Sequence, residues 1–243
     1  MAEQAQGTSP LSAVVADVAQ AVALALRGGG GSYALSRALP RGEAVASAAI
    51  RVLGADVLAP YARDRGPAHD GPNDDRDGAA GTADQALVRA ALAAYPPGAD
   101  ASEVSVWSYR GLVAAARAFL PADAAGRPPE PPAATDWAAT DAWPRLAHRA
   151  SQLASLSLPG VDTPLAGCLA ERTDDLARGF VRAVRRRDWL QAAGLGRWLA
   201  GLPDVPDSLG LDSGLVFVRQ MSGDDPRVAL HITAAARFYG RGS

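Results

Sequence analysis

Four arginines in the stretch TDDLARGFVRAVRRRDWLQAAGLGRWLAGLP, residues 173–203, are the side chains whose type and spacing best suit chemistry. Arg178, Arg182 and Arg185 are four and three residues apart, and Arg186 follows directly. On a helix, side chains at that spacing project together. Guanidinium groups so arranged grip phosphates or carboxylates through paired N–H donors. Arg197 and Trp198, on the next helical segment, are expected to extend the patch, the arginine as a further cation and the indole as a stacking surface for a base. The chemistry implied is recognition of an anion. A charged helix face is also what ordinary solvation produces, so the stripe needs a concave partner surface to become a site.

Other reactive side chains are sparse. The three histidines are His69, His148 and His231, and no pair has HxxxH or HExxH spacing. Cys168 is the single cysteine and sits among leucines, where a thiol behaves as a small hydrophobe. It allows neither a disulfide framework nor a cysteine-based zinc site. There is no GxSxG elbow. The paired carboxylates Asp174-Asp175 and Asp224-Asp225 stand at expected helix starts, where capping accounts for them. Asn73, Asp75, Asp77, Gly78 and Asp84 fit part of a calcium loop, but position one is Asn and position twelve lacks the bidentate Glu. The run Gly28 to Gly31 follows a helix rather than a strand and meets no phosphate-loop pattern. No metal or cofactor site is therefore expected.

The elements that must position the arginines are helices. Leu176, Ala177, Phe180, Ala183 and Val184 fall on the face opposite the stripe, giving an amphipathic helix that Thr173 is expected to cap. Asp188 suits the N-cap of a second helix carrying Trp189, Ala192, Leu195, Gly196, Leu199 and Leu202. Upstream, Ser9-Pro10 opens a helix to about Leu26, a short helix covers Tyr33 to Leu39, and a longer one runs from Glu43 to Ala62. The segment from Arg63 to Asp84 is polar and rich in glycine and proline and reads as a loop or insert. Thr82 and Gln85 then form a capping box for a helix to Tyr95, and Tyr109 to Leu120 forms another. Asp141 starts a helix to about Leu158 with Trp143 turned inward, and Thr163-Pro164 starts a short one. Segments from Asp212 and from Asp225-Pro226 close the chain as helices, with a β-hairpin as the alternative because LVFVRQ and RVALHIT are rich in β-branched residues.

Five prolines between Pro121 and Pro132 mark a linker. The expected organisation is an N-terminal helical bundle over residues 1–122, a linker over 123–135 and a helical-hairpin region over 136–243. All 24 basic residues are arginine, a composition that fits GC-rich coding, and the net charge of -2 gives no global attraction to nucleic acid or an anionic membrane. No signal peptide is recognisable at the N-terminus, and no apolar run is read as a membrane span. A cytoplasmic location is expected.

The stretch RRRDWLQAAGLGRWLAGLP resembles the turn and second helix of a tetratricopeptide repeat, through Asp188, Trp189, Ala192, Leu199 and Pro203. A fainter copy, SGDDPRVALHITAAARFYG, places Asp225 before Ala229 as Asp188 precedes Ala192. The likeness covers about a quarter of the chain and leaves the family's other small and aromatic positions unmatched. It implies a stack of helical hairpins with a protein-binding surface. The stretch SYALSRALP after the first helix is slightly similar to the small helical subunits of type III CRISPR effector complexes, one residue short of their spacing and without their following Gly-Leu.

The sequence thus predicts an all-α protein acting as a non-catalytic adaptor or subunit of a bacterial multiprotein assembly. It would dock another protein through apolar helix faces, with the arginine stripe setting orientation and on-rate. The alternatives are an anion- or nucleic-acid-binding module using the stripe, and an enzyme whose site is assembled from distant residues. The last requires a concave pocket that joins His148 or His231 to carboxylates or to Cys168.

Overall fold

The computed structural model describes residues 9–28, 33–40, 42–63, 74–121, 133–240 and 242. Among them are twelve α-helices and no strand. In the first half these are α1 (Pro10–Leu26), α2 (Leu35–Ala38), α3 (Glu43–Leu53), α4 (Asp74–Ala94) and α5 (Glu103–Phe119). The second half contains α6 (Asp136–Thr140), α7 (Trp143–Gln152), α8 (Pro164–Ala170), α9 (Thr173–Arg185), α10 (Trp189–Gly201), α11 (Leu211–Met221) and α12 (Pro226–Tyr239). A 3₁₀ stretch, Gly54–Arg63, continues α3, and another, Ala154–Ser157, follows α7.

Local chemistry explains most of the starts. Asp188 caps α10 by accepting from the Gln191 N–H, Thr163 caps α8, and Asp225 caps α12 ahead of Pro226. Asp174 and Asp175 occupy the first turn of α9, but Thr173 does not cap it. Its hydroxyl donates to the Ala170 carbonyl instead, and Arg172 holds the cap position.

Several expectations are corrected. The β-hairpin alternative fails: α11 and α12 take up both segments, the second launched by the Asp225 cap, so local hydrogen bonding outweighs the β-branched residues. The polar segment before Asp84 is helical from Asp74, so Thr82 and Gln85 lie inside α4 rather than at its start. The Gln85 amide reaches the Pro121 carbonyl. Asp141 ends α6 and pairs with Arg145 and Arg149 instead of opening a long helix, and Trp143 is half-buried rather than turned inward. His69, Asn73, Gly29 to Gly31 and residues 122–132 of the proline linker lie outside the described residues.

Asp84 is fully buried, with its carboxylate taken by the Leu35 and Ser36 N–H groups at 2.6 and 2.8 Å and by the Tyr61 hydroxyl. It caps α2 from across the fold, a use that removes it from any calcium loop. No group of three or more His, Cys, Asp or Glu side chains is placed to hold a metal among the described residues.

Two apolar clusters form the interior. One gathers α1, α3, the 54–63 stretch, α4 and α5, and it draws Leu158, Val161, Leu230 and Ala234 from beyond the proline run. The other gathers α7 to α12 and takes Trp107 from α5. The clusters meet where α12 packs on both α1 and α10. Helix α10 lies at the centre of the second cluster, contacting α7, α9, α11, α12 and the 154–157 stretch. Its glycines make that possible: a Cβ on Gly194 would stand 2.7 Å from the Ser151 carbonyl oxygen, and one on Gly196 would stand 2.4 Å from Leu215 Cδ2. Residues Ala44–Ala62 are apolar and long enough to cross a membrane by composition, a run the sequence reading passed over, but 67% of that stretch is buried inside this fold.

Candidate functional site

The arginine stripe forms one wall of a groove. Arg178, Arg182, Arg185 and Arg186 line a cavity of about 1060 Å³ together with Asp174, Ala177 and Val181 of the same helix. Trp143 of α7 and Pro206, Ser208 and Leu209 of the α10–α11 connection form the rest. Eight residues separate Arg178 from Arg186, a rise of about 12 Å along the helix axis. The Arg182 guanidinium lies over the Trp143 ring, 5.7 Å from its centroid, which holds that cation in place at the groove wall. Arg178 is paired with Asp175 at 3.2 Å, and Asp175 also accepts from Arg172. Arg185 and Arg186 make no ion pair among the described residues and are exposed. The groove thus carries an excess of positive charge whose free members are at its C-terminal end.

Two predicted members are elsewhere. Arg197 is fully buried, and Trp198 is 2% exposed with its indole N–H donating to the Ala150 carbonyl at 2.9 Å. Neither reaches the groove, and no base can stack on Trp198. Helix α10 was read as having a solvent face, but its alanines and glycines admit neighbours on every side, so no such face exists. Sequence reasoning in turn missed Trp143, Pro206 and Leu209 as groove residues.

Arg197 serves a different centre. Its Nη1 donates to Asp56 Oδ1 at 2.6 Å and lies 3.3 Å from His231 Nδ1, and His231 Nδ1 is 3.8 Å from Asp56 Oδ2. Burial lowers the His231 pKa to about 4, opposed by the Asp56 charge and reinforced by Arg197 and Arg227, so the ring is neutral near pH 7. A guanidinium can only donate, so Nδ1 accepts and the ring hydrogen is on Nε2. Arg197 Nε and Nη2 are buried without a partner, so Asp56 supplies most of the compensation for burying this cation.

Asp56 and His231 also line a second cavity of about 260 Å³, at the junction of the two apolar clusters. His148, Asp188, Ser108, Ser155 and Arg227 share it. Both histidines thus meet carboxylates in one concavity, whereas Cys168, half-buried against the second cluster, is not among its lining residues. With Nδ1 accepting from Arg197 and Nε2 protonated, the His231 ring offers a hydrogen-bond donor and not a general base. The sequence signal for this centre was an isolated polar residue in each of three apolar runs: Asp56 in VLGADVLA, Arg197 in LGRWLA and His231 in ALHIT.

An exposed apolar pair, Phe217 and Met221, lies one turn apart on α11, with Trp189 packed edge-on against Phe217 at 6.0 Å between ring centroids. The chain matches no protein-family model, no curated protein and no solved structure.

Proposed function

We propose that this protein is a non-catalytic helical binding module, an adaptor or subunit of a multiprotein assembly, that takes an acidic segment of a partner protein in the α9 groove. The observation carrying this reading is that four arginines on one helix face line a single groove with two of their guanidinium groups unpaired. Unpaired guanidinium forks are suited to bidentate contact with carboxylates. Ala177, Val181, Pro206 and Leu209 add an apolar component that suits an apolar side chain beside the acidic ones. The roughly 12 Å of arginine wall matches three to four residues of extended chain at about 3.3 Å each.

Nucleic acid fits the groove less well. Stacking on a protein ring is a principal source of single-strand affinity, but Trp198 is buried and the Trp143 face is occupied by Arg182.

The test is affinity capture from the native lysate after nuclease treatment, with wild type beside the variant carrying both Arg182→Glu and Arg185→Glu. A protein partner retained by wild type, released by a synthetic peptide of its own acidic segment and lost from the variant is the expected result. Recovery of nucleic acid in place of protein, or retention unchanged in the variant, overturns the reading.

A further inference from the structure

The cavity beside His231 has features of a ligand site that its structural neighbours do not need. Arg227 lines it, one helical turn from His231 on α12, and its guanidinium makes no ion pair or hydrogen bond among the described residues. His231 is 8% exposed and its Nδ1 faces Arg197, which leaves the Nε2–H as an unpartnered donor. Ser108 of α5 and Ser155 of the 154–157 stretch converge on the same end of the cavity. Each hydroxyl oxygen lies 3.3 Å from the point where a Cβ on Gly54 would stand, and neither makes a hydrogen bond among the described residues. Gly54 itself has φ of 59°, so an L side chain that would fill this space is disfavoured twice, by conformation and by contact.

We propose that this cavity binds a small hydroxycarboxylic acid, with its carboxylate on Arg227 and its hydroxyl groups on His231 Nε2, Ser108 and Ser155. Charge and size select that class. One unpaired cation matches one negative charge, while Asp188 on the same lining opposes a second charge and so disfavours a phosphate dianion. Ser108, Ser155 and His231 line the cavity with neutral hydrogen-bonding side chains, which match hydroxyls rather than a hydrocarbon tail. A volume of about 260 Å³ admits a molecule of metabolite size and excludes a polymer. The site shares no lining residue with the α9 groove and does not depend on what that groove binds.

Ligand-observed NMR on the full chain tests this with lactate, glycerate and gluconate as probes, and with propionate and inorganic phosphate as comparisons. At least one hydroxycarboxylate is expected to bind saturably and more tightly than propionate or phosphate. Arg227→Gln weakens it by about tenfold or more, whereas Arg237→Gln, an exposed arginine on the same helix, leaves it unchanged. Ser108→Ala weakens the hydroxycarboxylate without affecting propionate, and the Arg182→Glu, Arg185→Glu double variant binds like wild type. The proposal is overturned if none of the three probes saturates, if phosphate binds as tightly as the best of them, or if Arg227→Gln leaves binding intact.

Discussion

Arg197 and Asp56, 141 residues apart in the chain, form an ion pair of 2.6 Å from which solvent is excluded. The arginine comes from the central helix of one apolar cluster and the aspartate from the 3₁₀ stretch that helps build the other. Buried pairs of this kind contribute less through net attraction than through what happens when one partner is lost. The two clusters are thereby tied in register by a charge that cannot be removed from one side alone.

Arg197→Met is accordingly expected to destabilise the protein by about 3–5 kcal/mol, because it strands a buried carboxylate. Asp56→Leu strands the guanidinium, whose Nε and Nη2 already lack partners, and is at least as damaging. The double variant should recover a large part of either loss. Urea unfolding of the four proteins gives the coupling, and strictly additive losses would show that the pair does not act as a unit.

A pH dependence follows from His231. Its folded pKa is lowered to about 4 by burial, below the unfolded value near 6.5, so the unfolded chain takes up the proton first as pH falls. Stability is therefore flat with respect to this group above about pH 6.5 and declines between there and about pH 4, by about 3 kcal/mol when complete. Thermal or urea unfolding across that window should show the decline. In His231→Gln the part due to this residue disappears, and an unchanged pH profile in that variant would contradict the assignment.

How far these features could be read from sequence depends on whether their cause is local. Asp188, Thr163 and Asp225 cap helices through residues two or three positions on, and the α9 stripe follows from 3.6-residue periodicity. All were legible. Arg197 and Trp198 were misplaced because hydrophobic patterning fails on a helix in which alanines and glycines between the leucines are small enough for neighbours on any side. Trp143 was drawn inward by the pattern of α7, yet it stops at the surface under Arg182. The Asp84 cap and the Asp56–Arg197–His231 centre join segments far apart in the chain, and no periodicity encodes which distant apolar runs will meet.

Asp84 leads to a prediction about calcium. Its two oxygens accept from two backbone N–H groups and a tyrosine hydroxyl, a buried carboxylate already engaged within the fold. Added calcium should leave the melting temperature unchanged in calorimetry. Asp84→Ala should lower stability by about 2–3 kcal/mol, since it orphans the buried Leu35 N–H and the Ser36 N–H at the start of α2. A calcium-dependent rise in melting temperature would reinstate the metal reading.

The last prediction concerns the close approaches that let α10 sit at the centre. A Cβ on Gly194 meets the Ser151 carbonyl oxygen at 2.7 Å, and one on Gly179 of α9 meets Ala147 Cβ at 2.4 Å. Neither obstacle is the far end of a flexible side chain, so relief requires α7 to move away from its partners. Alanine at either position should cost about 1–3 kcal/mol despite its better helix propensity. Gly167 of α8 has nothing within 4 Å of its Cβ position, so Gly167→Ala meets no such obstacle. There the backbone effect acts alone, and stability should rise by about 0.5–1 kcal/mol. Opposite signs for alanine in helices of one protein would isolate packing from propensity. A gain at Gly194 equal to that at Gly167 would show instead that α7 and α10 are not in contact as described.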